Sequence, residues 1–177
     1  MPWFSSPRYQ AEPAPLPDAP EACAILYCNL GTPDAPTPVA VRRYLAEFLS
    51  DRRVVEIPRW LWLAVLHGVI LRVRPAKSAA KYARIWGPEG SPLLRWTARQ
   101  AAALQADLAQ RSHAVPTEVD VRYAMRYGSH SIAQALDALK AQGVSRVLVL
   151  PAYPQYSATT TASVFDAVYT WAANIRS

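Results

Sequence analysis

Ala24-Ile25-Leu26-Tyr27-Cys28-Asn29-Leu30-Gly31-Thr32-Pro33 decides the fold of this chain. The apolar start is too short for a buried helix, and it closes on an amide, a glycine and a proline. That pattern reads as a buried strand, about Ala22 to Asn29, running into a turn. It recurs twice. Val119 to Met125 leads into Arg126-Tyr127-Gly128-Ser129, and Val147 to Leu150 leads into Tyr153-Pro154-Gln155-Tyr156-Ser157 with three threonines behind. In an open parallel α/β sheet, ligands bind beyond the carboxyl ends of the strands. Three strands ending in aromatic and cationic residues therefore outline one pocket, suited to a flat, unsaturated ligand carrying carboxylates.

Helical patterns fill the intervals. Thr37 and Pro38 read as the cap and first residue of a helix with Val41, Leu45, Phe48 and Leu49 on its apolar face. Pro58 opens an apolar stretch from Trp60 to Leu71 that is too short to span a bilayer as an ordinary helix. Two readings of it stand: a helix buried on most sides, with His67 packed inside, or a pocket lip or membrane-surface contact flanked by Arg59, Arg72 and Arg74. Ser78 to Ile85 is helical, and Gly87 to Pro92 is a break. A long helix follows to about Arg111, with Leu93, Trp96, Leu104 and Leu108 on one side. Ser131 to Gln142, stopped by Gly143, and Thr161 to Ala173 complete the set. The order predicts an α/β fold: a parallel sheet with helices on both faces, right-handed crossovers and the first strand central.

The chain has 177 residues, enough for one domain with a sizeable core. Residues 1–20 hold six of the sixteen prolines and no periodicity, so they read as an irregular extension before a domain spanning 21–177. The net charge of +6 favours acidic ligands or anionic surfaces, but no nucleic-acid motif accompanies it, and nucleic acid is not expected as a partner. Cys23 and Cys28 fall on opposite faces of one strand and read as reduced core thiols, which with the absence of a secretory pattern points to the cytoplasm.

No glycine-rich phosphate loop and no nucleophile elbow occurs. The histidines, His67, His113 and His130, have no carboxylate partner at a motif spacing, so the residues alone define no metal site and no acid/base pair. His113 reads as a surface residue at a helix end. His130 lies near a strand end and reads as a helix-entry residue beside Ser131. Arg126 and Tyr127 offer a guanidinium fork, a ring face and a hydroxyl, or else an ordinary loop with a surface arginine.

Six segments in this order resemble the amino-terminal half of ferrochelatase, in its proteobacterial form. They are Asn29 to Pro33, Phe48-Leu49-Ser50-Asp51 with Val54 to Pro58, Lys81 to Ile85, Gly90-Ser91-Pro92-Leu93, Met125 to Gly128, and Tyr153 to Ser157 with Thr159 and Thr160. The resemblance runs from about Ala24 to the end and implies one of two similar chelatase-like α/β domains enclosing a porphyrin cleft. It implies porphyrin contacts at Leu30, Tyr82, Arg84, Ser91, Arg126, Tyr127 and Tyr156. The stretch from Trp60 to Leu71 matches the family's apolar lip, which implies peripheral contact with the inner membrane. The implied substrates are ferrous iron and protoporphyrin IX, with no bound cofactor and no metal ligand in this segment, and the implied role is the terminal step of haem biosynthesis.

The family's proton-accepting or metal-binding histidine sits in a Ser-x-His-x-Pro type motif of the second half, with a glutamate later still. Neither occurs before Ser177, and His130 does not match. The chain thus reads as a truncated lyase lacking its carboxy-terminal domain and inactive in isolation. A non-catalytic porphyrin-binding module is the alternative, and a third reading is an unrelated α/β domain using its crevice for a different anion.

Overall fold

The computed structural model describes residues 22–111 and 119–175. The proline-rich extension and His113 lie outside the described residues.

Three strands form the sheet: β1 (Cys23–Thr32), β2 (Val119–Gly128) and β3 (Arg146–Pro151). Their order is β2-β1-β3, all parallel, so the first strand is central as expected. Ala24, Leu26 and Cys28 point to one face, where Leu26 and Cys28 pack with Ala124, Ile132, Leu136 and Val164. The last three lie on α5 (Ile132–Ala141) and α6 (Ser163–Ala172). The opposite face of β1 meets α4 (Pro92–Gln110): the Tyr27 hydroxyl donates to Gln100, and the Asn29 amide donates to Thr97 Oγ1 at 3.0 Å. Helices therefore cover both faces.

The remaining helices leave the sheet. α1 (Pro38–Ser50) starts where expected, with the Thr37 hydroxyl accepting from the Ala40 amide. It crosses the carboxyl ends of the strands and fixes itself there. The Tyr44 hydroxyl donates to the Gly31 carbonyl, and the Gly128 amide donates to Glu47 at 2.8 Å. Its buried face packs with Leu66, Leu71, Ala79 and Tyr127 in a second apolar cluster.

The stretch after Pro58 is α2 (Arg59–Val65), a π-helical turn (Leu66–Ile70) and α3 (Leu71–Ile85), following one another without a break. Pro75 inside α3 has no N–H for the Leu71 carbonyl, and that position is where the wider turn hands over to α3. The reading of this stretch as buried on most sides is corrected: Trp60 is 77% exposed, Leu61, Val65 and Val69 are exposed, and Leu66 and Leu71 alone in it are fully buried. His67 is likewise exposed rather than packed. One apolar stripe is enough to dock a helix on a cluster, and composition alone does not say how many sides are covered. α4 contributes small side chains to the interior. Its buried positions are Thr97 and Ala101, because the helix lies close to the sheet through small side chains, and Trp96 is exposed.

Candidate functional site

The strand ends are bound together tightly, and two motif glycines are the reason. Gly31 has φ +112°, and a Cβ there would lie 1.9 Å from the Tyr127 carbonyl oxygen. Gly128 has φ +84°, and its Cβ would lie 2.5 Å from the Thr32 carbonyl oxygen. Only glycine permits this approach. It brings the Asn29 to Pro33 and Met125 to Ser129 segments into one place, under α1.

Asp51, just past the end of α1, is the centre of that place. Its Oδ2 accepts from Arg126 Nη2 at 2.8 Å, from the Tyr127 hydroxyl at 2.7 Å and from the Ser163 hydroxyl. Its Oδ1 accepts from the Arg53 amide at 2.7 Å. Arg126 Nε donates to the Ser163 carbonyl and hydroxyl oxygens, and its guanidinium lies 4.5 Å from the centre of the Tyr127 ring. The pair is nearly enclosed, with side-chain exposure of 19% for Arg126 and 9% for Asp51. Burial pushes the Asp51 carboxyl up, but the Ser163 and Tyr127 hydroxyls, the Arg53 amide and the Arg126 charge together hold it below the usual range. Burial pushes the Tyr127 phenol well above its ordinary value, and Tyr153 up to about 12. Both phenols stay neutral. Beside this group Arg53 and Asp166 form an exposed bidentate pair at 2.7 and 3.0 Å.

The residues singled out by sequence take different positions around this centre. Leu30 and Tyr82 are partly buried against the α1–α3 cluster, which contains Tyr127, and Tyr82 meets the Trp86 ring edge-on at 6.2 Å. Arg126 and Tyr127 join Asp51 and Ser163. Ser91 is buried at the head of α4, Arg84 is exposed at the end of α3, and Tyr156 is 72% exposed.

None of these seven lines either of two clear cavities. One, of about 580 Å³, lies between α4, β2 and α5 and has Gln105, Tyr123, His130 and Gln134 in an alanine-rich lining. The other, of about 300 Å³, lies beside α1 near Arg43, Glu47 and Gly128. The larger opens along the β2 edge of the sheet rather than beyond the strand ends. The convergence of motif side chains, and not cavity size, therefore marks the candidate site. Sequence reading missed Asp51 and Ser163 as members of it. Asp51 stood in a quoted segment with no role, and Ser163 is one of many serines; no spacing rule joins positions 75 and 112 residues apart.

Comparison with known proteins gives one result. The family model described as ferrochelatase matches residues 22–177. A ferrochelatase of Polaromonas sp. is 67% identical over 160 residues, covering 90% of this chain and 42% of the relative. That of Methylibium petroleiphilum is 64% identical, covering 96% and 46%, and that of Dechloromonas aromatica is 53% identical, covering 96% and 45%. The chain thus spans less than half the length of the curated relatives it matches.

Proposed function

This chain belongs to the ferrochelatase family, and from that premise we propose that it supplies one wall of a porphyrin cleft in which ferrous iron enters protoporphyrin IX, the step that completes haem. Inserting the metal requires a bent macrocycle, a base for the two pyrrole protons that leave as iron enters, and a route for a desolvating cation. The described residues serve the first requirement. Leu30 and Tyr82 offer apolar and aromatic contact for a macrocycle face, with Arg126 and Tyr156 around the strand ends and the fully buried Tyr127 ring stacked on Arg126. α3 carries Arg72, Arg74, Lys77, Lys81 and Arg84 and no acid, which suits the carboxylate edge of the ligand near Arg84 and Ser91. The proton-accepting chemistry belongs to the family's histidine and glutamate, which the resemblance places beyond residue 177.

The observation that carries this reading is the convergence of the Asn29–Pro33, Phe48–Asp51 and Met125–Gly128 segments at the strand ends. The exposed face of Trp60, Leu61, Val65 and Val69 beside Arg59 and Arg72 supports a peripheral membrane contact through Trp60–Leu71. No helix among the described residues is long and apolar enough to cross a membrane.

The test is an anaerobic absorbance titration of the chain with protoporphyrin IX, followed by addition of ferrous iron. The expected result is a saturable shift of the porphyrin band without metal insertion. Absence of binding would overturn the cleft-wall reading. Turnover by this chain would overturn the assignment of the proton-accepting groups.

A further inference from the structure

Arg126 invites assignment as the clamp for a ligand carboxylate, and its surroundings argue against that. The Nε and Nη2 edge that forms a guanidinium's fork is occupied by Ser163 and Asp51. The Asp51 carboxylate lies within hydrogen-bond distance and balances the charge. The neighbouring Arg53–Asp166 pair is balanced too, and the Tyr127 and Tyr153 phenols are neutral. These two pairs therefore hold two cations and two anions with no net charge between them, and Glu47, bonded to the Gly128 amide, adds a further carboxylate at the strand ends. Arg126 is also laid along the Tyr127 ring, leaving Nη1 without a partner among the described residues.

We propose that Asp51 is a positioning and specificity residue: by neutralising Arg126 and fixing it against Tyr127, it makes this part of the floor a seat for the uncharged macrocycle and not for a carboxylate. The inference rests on the porphyrin reading above and adds to it that porphyrins bearing extra carboxylates are disfavoured at the strand ends. A carboxylate placed there meets Asp51 and Asp166 as well as the two arginines, and gains no net attraction for the water it loses.

The test uses the chain with protoporphyrin IX, which has two carboxylates, and coproporphyrin, which has four. Affinities are measured by absorbance titration for the parent, Asp51→Asn, Arg126→Gln and the double variant, each checked for native fold by near-UV circular dichroism. Asp51→Asn leaves one uncompensated positive charge, so the affinity ratio should move toward coproporphyrin by about fivefold. Arg126→Gln leaves a negative charge and should move the ratio the other way. The double variant restores neutrality and should return the ratio to within about twofold of the parent. A purely structural Asp51 would weaken both porphyrins together, and an unmoved ratio overturns the proposal. If Asp51→Asn fails to fold, Arg126→Gln and the double variant decide by the same rule. A parent that binds neither porphyrin overturns the cleft-wall reading and this inference with it, whereas a parent that binds both, with variants at the parent's ratio, overturns this inference alone.

Discussion

Arg126→Met removes the cation from the Asp51 group while keeping side-chain volume along the Tyr127 ring. Asp51 is then a carboxylate with 9% exposure that retains the Tyr127, Ser163 and Arg53 donors but has lost its counter-charge. Breaking a buried pair from one side costs about 3–5 kcal/mol, and the three remaining donors favour the lower end, about 3 kcal/mol at pH 7. For a chain of this size that is a fall in Tm of about 6–12 °C. The sign of the pH dependence follows from the depressed carboxyl. Asp51 contributes stability that is full above its unfolded value, near pH 4, and lost as pH falls through the lower folded value. A protonated Asp51 needs no cation, so the penalty of the variant shrinks in acid. Urea unfolding of parent and variant at pH 7 and pH 3 measures both quantities. A difference below about 1 kcal/mol at pH 7, or one of equal size at the two pH values, would refute the placement of the pair.

Gly31→Ala places a methyl 1.9 Å from the Tyr127 carbonyl at a left-handed φ, so it should cost about 3 kcal/mol or more in urea unfolding; a loss under about 1 kcal/mol contradicts the strand approach. Ser131→Ala removes a capping box at the head of α5 and should cost about 1 kcal/mol by thermal unfolding, with no effect on porphyrin binding. Cys28 is buried, and its thiol is pushed up to about 12 by burial. A thiol reagent at pH 8 should therefore label Cys23 well before Cys28 in the native chain and both alike in urea; equal native rates contradict the packing of β1.

The short apolar run from Ala24 to Cys28 made β1 legible, and the repeated polar endings made the parallel sheet legible, because both are local patterns. Caps were legible for the same reason: Thr37, Ser131 and Gly143 each act on neighbours within a turn. What escaped the sequence is where whole helices lie. Nothing local says that α1 crosses the strand ends instead of packing on a sheet face, or that an alanine and a threonine on α4 are buried while Trp96 is exposed. Those outcomes follow from how closely two surfaces approach. Asp51 escaped for a related reason. A lone acid after an amphipathic helix is usually solvated, and only the meeting of three distant segments turns it into the centre of a buried network. The resemblance to ferrochelatase pointed to the family that matches residues 22–177, but it described Arg126 as a cleft residue without its partner.

The central claim, that the strand ends under α1 form a porphyrin wall, is tested most directly by amide chemical-shift mapping of the labelled chain titrated with protoporphyrin IX. The account predicts perturbations at Leu30, Tyr82, Arg84, Arg126, Tyr127 and Tyr156, with Tyr123, His130 and Gln134 around the larger cavity unmoved. Shifts confined to Tyr123, His130 and Gln134, or no shifts at saturating porphyrin, would contradict it.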